Sequence, residues 1–170
     1  MKNLVTELAK DLVTAPLAGY LASRVVEPVS MKLYEHESEA DRACEDQARP
    51  GMPFRIAAEK TTRLLRQDLS EPQLDKAGMA FHYGLGVSWA PVYALIRRTT
   101  PLGPVNAGLA SGAAMSLSVD EGLTPLLGFS ASNRDYPLVT HARGFFTHLA
   151  FGLATAAVTE TVWCLTRRRP

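Results

Sequence analysis

The sequence predicts an all-α, multi-pass membrane protein with four transmembrane helices and an amphipathic helix in its long first connection. Two observations lead to this fold class. Eighteen of the 35 charged residues lie between Lys32 and Lys76, so the remaining segments are apolar. The longest uncharged segment, Thr99 to Val119, has 21 residues, and about 20 helical residues cross the hydrocarbon core of a bilayer. The whole chain, residues 1–170, is therefore expected to form one membrane domain.

The first predicted transmembrane helix covers about residues 12–31. Arg24 and Glu27 interrupt its apolar sequence at a spacing of three, where two side chains on a helix are close enough to pair. Gly19, Ser23 and Glu27 recur every four residues, so they lie along one stripe of the helix. Small residues in such a stripe let another helix approach closely, which is how helices associate in lipid.

Residues 32–76 form a hydrophilic connection with eight basic and ten acidic side chains. Its first part, Glu35 to Arg49, is acidic, and we expect it to be loosely ordered up to a Pro/Gly break. Phe54 to Leu69 has the apolar and charged faces of a short amphipathic helix. So short a segment cannot bury a core of its own. It is interpreted as a cap over the membrane domain, or at its interface, in preference to a separate recognition module.

The second predicted helix, about residues 77–96, carries no charge apart from that of His82 near its start. His82 and Gly86 lie four residues apart on its stripe of small residues. Pro91 lies within the helix, where neighbouring helices of a bundle can accommodate the bend that a proline causes.

The third predicted helix covers about residues 99–121 and ends in two adjacent carboxylates, Asp120 and Glu121. Gly108 and Gly112 lie four residues apart on the stripe that leads to Asp120. A carboxylate at this depth in a membrane needs a polar partner, because lipid cannot solvate its charge.

The fourth predicted helix covers about residues 144–166 and carries His148 and Gly152 on its stripe. The segment before it contains Pro and Gly punctuation, so we expect an irregular connection that holds His141 and Arg143. All four predicted helices thus carry a stripe of small residues for packing, although no duplication of the sequence is evident.

Basic residues near the helix ends predict the orientation. Cytoplasmic loops of membrane proteins carry an excess of Lys and Arg, whereas acidic residues count for little in this rule. The long connection, in which acidic residues outnumber basic ones, is therefore ambiguous. We expect both termini to be cytoplasmic because they and the second connection hold Lys2, Lys10, Arg97, Arg98 and Arg167 to Arg169.

This orientation brings seven ionisable side chains to the outer end of the helices, where such groups usually face the bundle interior and pair with one another. The predicted polar cluster, with His141 above it, consists of Arg24, Glu27, His82, Asp120, Glu121, His141 and His148. Glu160 lies near the opposite face, where a terminal arginine or a lipid headgroup is its expected partner. The glycines predicted to bring helices together are Gly19, Gly86, Gly108, Gly112 and Gly152.

Three chemical interpretations of the cluster are open. The preferred interpretation is a structural role, in which paired charges fix the register of the helices. The second is a zinc or iron site, since His and carboxylate are suitable ligands; without a motif such as HExxH, no metal is predicted. The third is proton or ion handling, because a histidine can change its charge near neutral pH. Haem ligation by His82 and His148 lacks a binding motif, so no cofactor is predicted.

Three runs of the sequence resemble a known family. They are DKAGMAFHYGLG (75–86), SVDEGLTPLLGFS (118–130) and YPLVTHARGFFTHLAFGLAT (136–155), and AAEKTTRLL (57–65) is also similar. Together they resemble the YagU-like inner-membrane proteins, a bacterial family of unknown function. One departure is that Ala156 stands where such proteins often have a glutamate, and Glu160 comes one turn later. The residues that fit the family pattern are His82, Tyr83, Asp120, Glu121, Pro125, Leu127, Gly128, Tyr136, Pro137, His141 and His148.

The resemblance implies a location in the bacterial inner membrane and a multi-helix fold, and it implies no established activity. The preferred function is a non-catalytic structural or accessory subunit, whose partners are membrane lipid and a membrane protein or a second copy. The alternative is transport or sensing of a proton, ion or small solute through the cluster. A net charge of +1 gives no case for nucleic acid binding, and no motif such as GxSxG indicates an enzyme. A soluble four-helix bundle is the remaining alternative fold.

Overall fold

The computed structural model describes the backbone of residues 2–166 and the side chains of residues 11–166. These residues form helices and connections without a strand, which confirms the predicted all-α class. Lys2, Lys10 and Arg167 to Arg169, on which the predicted orientation partly depends, lie outside the described side chains. In chain order the structure contains α1 (Lys2–Glu35), α2 (Glu39–Ala48), α3 (Pro53–Leu64), α4 (Glu71–Thr99), α5 (Pro104–Met115), a π-helical segment (Ser116–Leu123), α6 (Thr124–Leu126), a 3-10 turn (Asn133–Asp135) and α7 (Leu138–Thr166).

Three of the predicted transmembrane segments lie within α1, α4 and α7, and most of the third predicted segment, 99–121, lies within the continuous helix that α5 forms with the π-helical segment. α4 begins at Glu71, earlier than predicted, because Ser70 and Gln73 form a capping box before it. The third helix begins at Pro104, later than predicted, since proline favours the first turn of a helix. Gly103 adopts extended backbone angles directly before it.

The expected irregular connection around His141 and Arg143 is wrong, because α7 begins at Leu138 and contains both residues. Pro137 precedes the helix, and no Gly or Pro interrupts the residues that follow until Gly144. Residues two positions apart point to different sides of a helix. His141 and Arg143 therefore contact different neighbours.

The predicted loose order of Glu35 to Arg49 is also wrong, because most of this acidic stretch forms α2. The helix is capped by Ser38, whose hydroxyl accepts a hydrogen bond of 3.1 Å from the backbone N–H of Asp41. Its side chain Glu45 is buried against α7. Most residues of α2 are good helix formers and its first turn is acidic, so the local sequence and this tertiary contact both favour the helix.

The predicted amphipathic helix exists as α3, which packs along the first turns of α4. A Cβ built on Gly78 of α4 would lie 3.2 Å from the backbone of Arg55 in α3, so the two helices are close. Arg55 donates hydrogen bonds to Glu59 in its own helix and to Glu71 and Asp75 in α4. These bonds raise the pKa of the Arg55 guanidinium above its usual value, and the bond to Glu71 contributes most.

α7 packs against both α5 and α1, and α1 also packs against α4. The interior of this bundle is built from small side chains. Nine of the twelve buried apolar residues among the described side chains are alanines. None of the described leucine, isoleucine or valine side chains is buried. Large apolar side chains instead lie on the outside, among them Leu12, Val13, Leu17, Leu95, Val105, Leu117, Phe146 and Leu165.

Two close helix crossings contain the five glycines that the sequence predicts for packing. Gly19 of α1 lies against Gly86 of α4, and a Cβ on Gly19 would overlap the carbonyl group of Gly86. A Cβ on Gly108 of α5 would lie 2.8 Å from the carbonyl oxygen of Gly152 in α7. Gly112 likewise faces the α7 backbone. Backbone therefore packs on backbone at both crossings.

One helix in the described part of the chain, α7, is long and apolar enough to cross a membrane. Its most apolar window has a mean hydropathy of 1.4 and is 28% buried. The other predicted spans are not recognisable from length and composition alone. α5 has only 12 residues before the π-helical segment, and α1 contains Asp11, Arg24 and Glu27.

Candidate functional site

Asp120 and Glu121 lie in the π-helical segment that continues α5. A π-helix closes its turns with i→i+5 hydrogen bonds and is often found at functional sites. This wider turn rotates the chain less per residue than an α-helix does. Asp120 therefore stays on the side that Gly108 and Gly112 present to α7. No local sequence pattern indicates a π-helix, so sequence reasoning could not find this feature.

Asp120 pairs with His148 of α7, and its Oδ2 lies 2.9 Å from the ring Nδ1. The same nitrogen lies 2.9 Å from the carbonyl oxygen of Gly144, one turn earlier in α7. Both neighbours accept hydrogen bonds, so Nδ1 carries the proton and Nε2 is the acceptor of the neutral ring. A carboxylate that orients an imidazole in this way is typical of general bases and of metal-bound histidines.

Glu121 pairs with His141, and its Oε1 lies 2.8 Å from the ring Nδ1. The other ring nitrogen, Nε2, lies 3.0 Å from the carbonyl oxygen of Asn133. Both neighbours are acceptors, so this ring donates to both only in its doubly protonated form. The Asn133 side chain also donates to the carbonyl oxygen of Glu121 at 2.9 Å. The 3-10 turn is thereby tied to the π-helical segment.

The remaining members of the predicted cluster lie beside these two pairs or on the surface. His82 contacts the edge of the Tyr83 ring at 5.1 Å between centroids, and its charge interacts with those of Glu27 and His148. Arg24 donates a hydrogen bond of 3.1 Å to the Tyr83 hydroxyl. Arg24 and Glu27 are both exposed on the outer side of α1. The structure thus gathers the three predicted histidines and the two adjacent carboxylates. Glu27 is exposed but close enough to His82 for their charges to interact, and Arg24 is exposed beside Tyr83.

Sequence reasoning missed a buried ion-pair network that joins the long connection to α7. Arg143 lies 2.7 Å from a carboxylate oxygen of Glu37 and 2.6 Å from one of Glu45. Glu45 also accepts hydrogen bonds from Thr140, at 2.8 Å, and from Arg49. The three central side chains are at most 10% exposed. Arg143 lies about 100 positions from both glutamates in the sequence, so no short motif could have linked them.

A second polar network closes the opposite end of the bundle. Asp11 is 7% exposed and accepts hydrogen bonds of 2.7 and 2.9 Å from Arg98. It also accepts a bond of 3.0 Å from the indole N–H of Trp163, whose ring lies 4.4 Å from the Arg98 guanidinium. Glu160 pairs with Arg97 at 2.8 Å, within the described residues. Sequence reasoning had assigned Arg97 and Arg98 only to the flanks of the membrane.

At this site each of the two carboxylates already has its own histidine partner. Across residues 11–166 no three His, Cys, Asp or Glu side chains are placed to hold a metal ion together. An imidazole held by a carboxylate can take up and release a proton near neutral pH.

Comparison of the sequence with protein-family models, with curated proteins and with solved structures finds no match. The resemblance to the YagU-like proteins therefore stays a prediction that depends on the three sequence runs. The candidate site is defined by its geometry, as two carboxylate–imidazole pairs between the π-helical segment and α7.

Proposed function

We propose that this chain is a small integral membrane protein whose four long helices cross the bacterial inner membrane. The observation that carries the proposal is the distribution of side-chain size: most buried positions are glycine, alanine, serine or threonine, and none of the described leucine or valine side chains is buried. In water, burial of large apolar side chains is the main stabilising term, so a soluble bundle encloses them. Lipid supplies no such term, and helices in a membrane associate through small residues that let backbones approach.

The two polar ends of the bundle support the same proposal. On α7, His141 pairs with Glu121 at one end, and Glu160 pairs with Arg97 at the other. At 1.5 Å per residue these two positions are about 28 Å apart. The hydrocarbon core of a bilayer is about 30 Å thick. The paired charges therefore lie where the two membrane boundaries are expected.

We further propose that the protein is a non-catalytic structural or accessory subunit of a membrane complex. This second proposal is supported by the ionisable groups inside the bundle, which pair with one another as expected of groups that fix helix register. The backbone-to-backbone crossings at the packing glycines make the bundle a rigid unit. The family resemblance agrees with a membrane location and adds no activity.

Two exposed cysteines provide the test of insertion and orientation. Cys44 lies in α2 and Cys164 near the end of α7, so the proposed four spans place them on opposite sides of the membrane. In spheroplasts, a membrane-impermeant maleimide should label the single-cysteine variant Cys164→Ser at Cys44. The variant Cys44→Ser should be labelled only after the membrane is permeabilised. Labelling of both variants in intact spheroplasts, or release of the protein by alkaline carbonate, would contradict the proposal.

Proton or ion handling is the second candidate function, and the observation that favours it is the π-helical segment with its two carboxylate–imidazole pairs. The two candidates differ in what Asp120→Asn changes. For a structural subunit, vesicles with the wild type and with this variant should leak protons no faster than empty vesicles, while the variant unfolds more readily. For a proton path, the wild type should dissipate a pH gradient and Asp120→Asn should abolish that flux. Glu160→Gln, at the other end, is the matched control for general loosening.

A further inference from the structure

His141 lies between two hydrogen-bond acceptors, one at each of its ring nitrogens. Nδ1 lies 2.8 Å from a carboxylate oxygen of Glu121, and Nε2 lies 3.0 Å from the backbone carbonyl oxygen of Asn133. A neutral imidazole has one N–H donor, whereas the doubly protonated ring has two. Only the charged ring can therefore donate to Glu121 and to Asn133 at the same time.

The loss of one proton from this ring breaks the contact with Asn133. A hydrogen bond to a carboxylate is about twice as strong as one to a neutral acceptor, so the remaining proton stays on Nδ1, opposite Glu121. The lone pair of Nε2 then faces the carbonyl oxygen of Asn133 at 3.0 Å, and two acceptors repel each other. Deprotonation of His141 thus makes an attractive contact with the 3-10 turn repulsive.

The 3-10 turn lies in the connection between the π-helical segment and α7, whose start is attached differently. Lys60 of α3 donates hydrogen bonds of 2.7 and 2.9 Å to the carbonyl oxygens of Leu127 and Gly128. An ammonium group keeps its charge through neutral pH. The start of the connection therefore stays attached under conditions in which the contact between His141 and the turn changes.

Among the described residues, Glu121 is the carboxylate that lies within 4 Å of the ring nitrogens of His141. The other ionisable groups of the elements around the ring are paired with one another or belong to the turn and its end. They are Asp120 with His148, Arg143 with Glu45, and Arg134, Asp135 and Tyr136. The charge of His141 is thus balanced by Glu121.

We propose that His141 is a pH-sensitive latch, which holds the 3-10 turn against Glu121 when the ring is charged and releases it when the ring is neutral. The side chains of His141 and Glu121 are 24% and 29% exposed, so water can exchange protons with the ring. A histidine changes its charge between about pH 5 and 8. The closed turn binds one proton more than the released turn, so low pH favours closure and rising pH favours release. The latch depends on contacts within residues 121–141 and goes beyond the proposed membrane function.

Hydrogen exchange of the full chain in mild detergent tests the latch. The protection factors of the amides of residues 131–136 are measured at about pH 6 and about pH 8, with the intrinsic exchange rate at each pH taken into account. In the wild type they should fall about tenfold as the pH rises, the ratio expected for one net hydrogen bond. Residues 150–160 inside α7 should keep their protection. The control His36→Gln changes an exposed histidine elsewhere and should show the same fall as the wild type.

Two variants should remove the pH dependence in opposite ways. His141→Ala lacks both bonds, so the turn should be weakly protected at both pH values. Glu121→Gln supplies an amide N–H that donates to Nδ1 of the neutral ring, whose Nε2–H then still donates to Asn133. In this variant the turn should stay protected when the pH rises.

Equal protection of the wild-type turn at the two pH values would overturn the proposal. A fall that persists in His141→Ala would overturn it as well, and so would a fall in Glu121→Gln as large as that of the wild type. If His141→Ala does not fold, Glu121→Gln and nitrogen NMR of the wild-type ring decide. Both ring nitrogens should be protonated at the lower pH, and a singly protonated ring there would refute the latch. Release of the protein by alkaline carbonate tests the membrane proposal alone.

Discussion

One added methyl group tests the close crossing of α5 and α7. A Cβ on Gly152 would overlap the carbonyl oxygen of Gly108 and lie 2.9 Å from the backbone nitrogen of Gly112. These neighbours are backbone atoms, so no side chain can rotate away and the two helices must separate. Overpacking costs about 1–3 kcal/mol, and a rigid neighbour places Gly152→Ala near the upper end. Helix propensity returns about 1 kcal/mol, so we expect a net loss of about 2 kcal/mol in the free energy of unfolding.

Gly84→Ala is the matched control, because it makes the same replacement inside a long helix where a Cβ meets nothing within 4 Å. It should leave the free energy of unfolding unchanged or raise it by up to about 1 kcal/mol. Reversible unfolding by SDS in dilute mild detergent, followed by far-UV circular dichroism, measures both variants. The two should differ by about 2–3 kcal/mol. Equal stabilities would refute the inference that backbone contact at this crossing limits side-chain size.

Three further changes test the polar networks. Asp11→Asn weakens the pair with Arg98 and should lower the free energy of unfolding by about 1–3 kcal/mol. The control Asp68→Asn, at an exposed position, should leave the free energy of unfolding unchanged. Equal effects of the two substitutions would contradict the network. Glu45→Gln should release α2 from Arg143 and speed trypsin cleavage after Arg42, and a rate no faster than that of the exposed control Asp46→Asn would show that the ion pair does not hold α2. Tyr93→Phe removes one hydrogen bond to Glu160, which keeps Arg97, so the expected loss is about 1 kcal/mol. A loss as large as that of Asp11→Asn would contradict this assignment.

Local signals in the sequence account for the helical class and for the contacts between small residues. Four-residue spacing places Gly108 and Gly112 on one side of a helix, and the same rule applies to Gly19 and Gly86 in their own helices. A glycine stripe has few uses other than close approach, so its contacts could be anticipated without knowing the partner helix. The sequence predicts Asp120 and the histidines only as members of one larger cluster. It does not predict which histidine pairs with Asp120.

Charges proved harder to place, because a side chain on a helix can lie inside or outside the bundle depending on how the helix is rotated. Glu27 continues the four-residue spacing of Gly19 and Ser23, yet it is exposed, as is Arg24. Arg143 belongs to the segment that is expected to be an irregular connection, and it is instead a helical residue, 10% exposed, between Glu37 and Glu45. A long-range ion pair between Arg143 and Glu45 also holds α2 against α7. None of these outcomes depends on residues that are neighbours in the chain.

The sequence by itself determined the all-α class, the approximate helices and the small residues that let them approach, because propensity and periodicity act within a few residues. Only the tertiary structure decided that the helix after α5 continues as a π-helix, that Asp120 meets His148 and Glu121 meets His141, and which charges stay outside. These features depend on helix rotation and on contacts between distant segments. Their free energies come from the assembled bundle, and no stretch of the isolated chain contains them.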